Sequence, residues 1–453
     1  MSHHRTLVYL LALAVASVVS GQEVADSDAP PSRPAFRPVP PGVVEMTGMS
    51  AGGGIVALKD GSLMFAQGTS YRSSQDGGRT WGEPIEFGSP VGVSGIIRLQ
   101  SGALGVYGGG AAGWSFSSSP DDGKTWTEAV EIGTYPDFYA MYHSLIQLDS
   151  GRLLLSGYWE GFNGAERGGG HRVSPTGWGL WRDRVLYMEG HRFGEMGICA
   201  AYYSDDEGKT WTKKSRVGVF GWFDEWGVHN QAGGILDLYE PTSAQTPDGR
   251  VLMFCRSKTG RIVQTYSIDG GEQWMAAEPT ELASSQAPPM LVRIPKNGNL
   301  LCVWNQVSDE EIRRGFMRSR LSAAISRDGG LTWDNFRTLE LAEGLEDFDR
   351  IRPTLPIPRI IVGRSPFHHL PDGFATFSYA NVDIVGESVL IRYSRSWPVP
   401  RAKTQPSGHR AMNTYTWPAY EAREADFTAE AVMRIYPLKW FYEGQNRDEP
   451  TGQ

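Results

Sequence analysis

Five segments of this chain read Ser-x-Asp-x-Gly-x-(Thr/Gln)-Trp in the same register. They are Ser74-Asp76-Gly78-Thr80-Trp81, Ser119-Asp121-Gly123-Thr125-Trp126, Ser204-Asp206-Gly208-Thr210-Trp211, Ser267-Asp269-Gly271-Gln273-Trp274 and Ser326-Asp328-Gly330-Thr332-Trp333. Such repetition constrains the fold most, because each copy marks one unit of an array. The residue types explain the motif. A short carboxylate accepts hydrogen bonds from backbone N–H groups of its own turn. Glycine reaches φ > 0 where a hairpin reverses. Tryptophan offers an apolar plate to a neighbouring sheet. The repeated acids therefore hold turns rather than catalyse.

A second repeat interleaves with these boxes: an apolar strand, a glycine turn, and another apolar strand. Its copies are Ile55–Gln67 around Asp60-Gly61, Ile96–Gly108 around Ser101-Gly102, Leu145–Gly157 around Ser150-Gly151, and Ser243–Cys255 around Asp248-Gly249. Leu291–Trp304 around Asn297-Gly298 and His368–Tyr379 around Asp372-Gly373 complete six. Each has the composition of a β-hairpin. Five lead into an Asp-box, and the sixth leads to Val389–Ser394, read as a strand before a degenerate box. Four strands per unit and six units predict an all-β fold, a six-bladed β-propeller with Asp-box turns. No unit can bury both faces of its sheet alone, so neighbours must stack.

The remaining regions are read from composition. Arg5, the apolar run Leu7 to Val19 and the small residues Ser20 and Gly21 predict a signal peptide over residues 1–21. The expected location is secreted or periplasmic. Residues 22–42 form a Pro-rich linker, 43–400 the propeller, and 401–453 a C-terminal extension. Phe427–Tyr436 is a candidate closing strand within that extension. No later run has the length and apolarity of a transmembrane segment. The net charge of -8 argues against a nucleic-acid partner. The three cysteines, Cys199, Cys255 and Cys302, are too few, and odd in number, for a disulfide scaffold, and Cys255 and Cys302, in apolar strand-like runs, are expected as buried free thiols. No metal motif or cofactor fingerprint is visible, so none is predicted.

The boxes, the glycine-turn hairpins and the export signal resemble the sialidase (neuraminidase) superfamily, over roughly residues 43–400. The resemblance implies a carboxylate-binding arginine triad, a tyrosine nucleophile with a glutamate partner, and an aspartate acid/base. The segment from Glu240-Pro241-Thr242 to Cys255-Arg256 is similar to the family's segment holding the glutamate and the second arginine. Arg318, ahead of the fifth box, matches the third. Three positions depart from the pattern. Met49–Gly54 lacks the first arginine, Gln67–Arg72 lacks the acid, and Gly363–Phe367 lacks the tyrosine. Tyr379 follows the turn and reads as a strand residue. Arg364 could supply a guanidinium from another blade.

Two long loops carry aromatic residues beside acids, a combination that suits a sugar. Tyr158–Gly197 interrupts the third unit, and Phe220–Tyr239 holds Trp222, Asp224, Glu225 and Trp226. These residues could equally fold the loops onto the propeller. His143, just before the third hairpin, is placed near the channel and could act as acid or base, or serve as a bonded core residue. Two functions follow. One is an exported glycoside hydrolase for an anionic sugar, with Arg256, Arg318, Arg364, Trp222 and Trp226 binding. Glu240 would then be catalytic, with His143, Asp224 or Glu225 as partner. The other is a non-catalytic propeller that binds carbohydrate or protein.

Overall fold

A computed structural model describes residues 33–110, 113–134, 139–160, 176–181, 184–189, 197–212, 221–222, 235–236, 238–257, 260–308, 310–311, 314, 316, 318–353, 372–400 and 425–448. Six antiparallel sheets form six blades, each starting with its innermost strand. Blade one is Gly54–Ala57, Leu63–Gln67, Ser70–Ser74 and Ile85–Glu86. Blade two is Gly95–Arg98, Leu104–Gly109, Gly113–Ser119 and Val130–Thr134. Blade three is Tyr139–Gln147, Leu153–Glu160 and Gly197–Ser204, with a bridge from Tyr203 to Thr212 at its rim. Blade four is Tyr239–Gln245, Val251–Arg256, Arg261–Ser267 and Glu278–Ala283. Blade five is Met290–Arg293, Leu300–Trp304, Arg320–Ser326 and Asp334–Leu341. Blade six is Thr376–Val385, Ser388–Pro400, Ala425–Pro437 and, from the other end of the chain, Val44–Thr47. First strands of successive blades touch in turn until blade six meets blade one. That ring of strands surrounds the central channel.

Six hydrophobic clusters fill the six interfaces, each drawing on two adjacent blades. This is the burial that no single unit could achieve. The boxes do what their residue types require. In the first, Asp76 Oδ1 accepts from Thr80 N at 2.9 Å and Asp76 Oδ2 from Thr80 Oγ1 at 2.7 Å, while Ser74 Oγ receives Gly78 N at 2.8 Å. Those donors hold the Asp76 carboxyl down at about 2. Box tryptophans reach the preceding blade: Trp211 packs on Phe116 at 5.6 Å and Trp333 on Phe254 at 5.5 Å. Gly330 has φ 92°, and a Cβ there would lie 2.3 Å from Leu252. Glycine is required twice over, by conformation and by space.

Blade six corrects one sequence reading. Its inner hairpin does not turn at Asp372-Gly373. It runs from Thr376–Val385 through Gly386 into Ser388–Pro400. Val389–Ser394 is therefore part of the second strand rather than the lead into a box. The third strand is Ala425–Pro437, and Val44–Thr47 pairs with it from Val44 opposite Ile435 to Thr47 opposite Val432. The two ends of the propeller thus share one sheet, and charges reinforce the seam. Glu45 receives Arg434 Nε at 2.7 Å and Arg395 Nη2 at 3.1 Å. Cys199 and Cys255 lie in the cluster between blades three and four, and Cys302 in the next; all three are buried free thiols.

Candidate active site

Backbone strain points to the channel. Seven non-glycine residues among those described have positive φ, which costs an L-residue roughly 1–2 kcal/mol each. Asp122 and Glu207 sit in Asp-box turns, and Asn335 in the outer strand of blade five. The other four are His143 (φ 55°), Glu240 (φ 46°), Arg318 (φ 55°) and Tyr379 (φ 56°). Strain of this kind persists only where the surroundings impose it.

Blades four and six use the same device. Tyr239 pairs with Arg256 and Thr242 with Phe254, so Glu240 and Pro241 together oppose Cys255. Ser378 pairs with Ser394 and Asn381 with Arg392, so Tyr379 and Ala380 together oppose Tyr393. Each is a one-residue β-bulge opened by a left-handed residue, a feature that re-aims a side chain. His143 lies in a wider bulge, between Ala140 and Leu145.

The two matched bulges bring their side chains together. The Tyr379 hydroxyl lies 3.2 Å from Glu240 Oε1. Arg256 Nη1 donates to Glu240 Oε2 at 2.6 Å, and both side chains are buried. The Arg318 guanidinium lies 5.3 Å from the centre of the Tyr379 ring. Nε and Nη2 of Arg318 donate to Gln286 O at 3.3 and 3.0 Å. Among the described residues, these two guanidiniums and one carboxylate leave one net positive charge.

Burial is the largest single influence on Arg256 and disfavours the cation, but the charge and hydrogen bond of Glu240, together with the Tyr379 and Tyr158 phenols, outweigh it in sum and hold the guanidinium above its ordinary range. Arg318 goes the other way, lowered by burial and by the neighbouring positive charge of Arg256. Burial and the Glu240 charge raise the Tyr379 phenol, with Arg318 and Arg256 opposing. The phenol is therefore protonated at neutral pH and needs an acceptor before its oxygen can attack. Glu240 is that acceptor by position. A small cavity lies beside the pair, lined by Met141, Thr242, Pro289 and Asn381.

The sequence expectations divide cleanly. Glu240, Arg256 and Arg318 lie together, as the family resemblance implied. His143 does not partner Glu240. Its Nε2 lies 3.3 Å from Asp383 Oδ1 and 3.1 Å from Arg392 Nη2. Burial lowers its pKa, with Asp383 opposing and Arg392 adding to the effect. Arg392 is bound to carbonyls of the 50–53 segment, including Gly53 O at 3.0 Å. His143 is thus part of a strut joining blades three, six and one. Trp222 stands in the short strand Gly221–Trp222, which pairs with Ile235–Leu236. Asp224, Glu225, Trp226 and Arg364 lie outside the described residues. Tyr379, read from sequence as an ordinary strand residue, is the residue missed. Its signal was its place ahead of Gly386, which matches Glu240 ahead of Gly249 once Gly386 is taken as the true turn.

The chain belongs to the BNR repeat-like domain family, which matches residues 96–390. No curated protein matches it. Among solved structures it is similar to a protein of unknown function from Dyadobacter fermentans DSM 18053, at 16% identity and TM-score 0.45, covering 87% of this chain and 100% of that one. It is also similar to the α-L-arabinofuranosidase Arb93A of Fusarium graminearum, at 12% identity and TM-score 0.44, covering 85% and 92%. The Trypanosoma rangeli sialidase gives 12% identity and TM-score 0.44, covering 89% of this chain and 60% of its own.

Proposed function

We propose that this protein is an exported glycoside hydrolase that cleaves an anionic sugar, of sialic acid or uronic acid type, through Tyr379. The carrying observation is the Tyr379 hydroxyl 3.2 Å from Glu240 Oε1 with an arginine on each side. Arg256 and Arg318 hold the sugar carboxylate. Glu240 takes the phenolic proton as the tyrosine oxygen bonds to the anomeric carbon and the aglycone departs. Water then attacks the anomeric carbon, the tyrosine oxygen leaves and takes back the proton held by Glu240, and the proton lost by the water ends on the oxygen of the departed aglycone. A neutral tyrosine nucleophile suits an anionic substrate, because an attacking carboxylate would be repelled by the sugar's own charge.

A binding propeller without catalysis is the second reading. One observation favours it. Gln67 stands near the place where the family keeps its acid, and its Nε2 donates to Ser50 Oγ at 2.6 Å. An amide cannot protonate a leaving group. Hydrolysis of aryl glycosides of sialic and uronic acids by wild type, Glu240→Gln and Tyr379→Phe separates the readings. Nitrophenolate leaves without a proton donor, so such substrates report on the nucleophile alone. Turnover lost in both variants supports the hydrolase. No turnover, with sugar binding that weakens in Arg256→Ala, would establish the binding propeller.

A further inference from the structure

We propose that Asn305 is a positioning residue for this site, one that fixes Arg318 and Tyr379 relative to each other. The inference rests on reading those two as anion clamp and nucleophile. Asn305 follows the second strand of blade five and is buried. The two hydrogens of its Nδ2 serve three backbone carbonyls, one being shared: Phe377 O at 2.7 Å, Arg320 O at 3.0 Å and Arg318 O at 3.3 Å. An oxygen at that place would face three acceptors, so the amide orientation is dictated.

These three carbonyls belong to two blades. Arg318 and Arg320 lead into the third strand of blade five, while Phe377 lies two residues before Tyr379 on the inner strand of blade six. Phe377 N returns a bond to Arg318 O at 2.8 Å. Asn305 O accepts Ser285 N at 2.9 Å, beside the Gln286 carbonyl that receives the Arg318 guanidinium. One side chain and its own peptide therefore tie together all three segments that set the Arg318–Tyr379 geometry. Both of those residues have positive φ, a conformation that relaxes unless it is held. Asn305 touches neither functional group of the pair. It acts through their backbones.

The test uses Asn305→Ser, which keeps one donor, and Asn305→Asp. In the aspartate variant an ionised carboxylate would face the three carbonyls, whereas its protonated form donates one bond. Kinetics are measured well below each variant's unfolding temperature, with an aryl glycoside that wild type turns over, and crystal structures of both variants are solved. The expected result is a loss of about 10²-fold in kcat/KM, the scale of a 1 Å misplacement. The aspartate variant should recover relative to wild type as pH falls. The structures should show the 5.3 Å Arg318–Tyr379 separation changed or Arg318 out of its left-handed conformation. Unchanged kcat/KM and unchanged separation, with only a lower Tm, would overturn the proposal and leave Asn305 a purely structural residue. If wild type hydrolyses no glycoside, the functional reading fails, and the variant structures alone decide the role of Asn305.

Discussion

Tyr379 and Glu240 meet at 3.2 Å although blades six and four carry them, and each opens a β-bulge of the same construction. The contact exists because two inner strands each spend one unpaired residue to aim a side chain. On the proposed mechanism, removing the phenolic oxygen should abolish chemistry while sparing the fold. Tyr379→Phe is expected to reduce kcat by at least about 10³-fold with Tm nearly unchanged, and Glu240→Gln by about 10²–10⁴-fold, the range of a lost general base. Single-turnover kinetics with an aryl glycoside check both. A Tyr379→Phe enzyme that keeps full activity would remove the tyrosine from the mechanism.

The Arg256–Glu240 pair has a second consequence. Both side chains are buried, so deleting one leaves the other charge without its partner. Arg256→Met alone should lower unfolding free energy by about 3–5 kcal/mol, and Arg256→Met with Glu240→Leu should restore much of it. Urea unfolding of the two variants measures the difference. A double variant no more stable than the single would show that the pair is not coupled in this way.

The fold was legible because its signals are local. A serine, an aspartate, a glycine and a tryptophan at fixed offsets close one turn, and five such turns set the blades. The same locality placed Glu240 and Arg256, which flank a hairpin whose Asp248-Gly249 turn is plain. Tyr379 was hidden for a physical reason. Asp372-Gly373 looks like the better hairpin turn, yet the chain reverses at Gly386. Measured from the wrong turn, the tyrosine falls on the wrong side. His143 was legible as a channel residue but not as a strut, since Asp383 and Arg392 come to it from another blade and Arg392 in turn holds Gly53 O. Asn305 carried no sequence signal at all. Its role depends on three carbonyls that only tertiary structure assembles.

The box glycines offer a test of the stacking between blades. Gly330→Ala adds a methyl group 2.3 Å from Leu252 at a backbone φ of 92°. Overpacking and left-handed strain act together, so a loss of about 2–4 kcal/mol is expected. Gly249→Ala is the control, because its φ of 88° is similar but nothing lies within 4 Å of the added carbon. It should cost only about 1 kcal/mol. Equal denaturation midpoints for the two variants would contradict the close contact between blades four and five.

The closing seam gives a pH dependence whose sign follows from Glu45. Burial pushes its carboxyl up, but the hydrogen bonds and charges of Arg395 and Arg434 together push it down further, so it lies below its ordinary value of 4.5. Its folded pKa is depressed. The stabilisation is therefore complete above about pH 4.5 and is lost as pH falls through the folded value. Glu45→Gln should thus lower Tm at neutral pH, and the gap to wild type should narrow as pH drops below 4.5. The same substitution should loosen the pairing of Val44–Thr47 with Ala425–Pro437, read as faster amide exchange at Met46 and Met433, which face each other there. Thermal unfolding of both proteins across acid and neutral pH, with exchange measured at neutral pH, checks the two effects together. A gap that stays constant into acid would mean that the arginines do not hold the seam through the charge of Glu45.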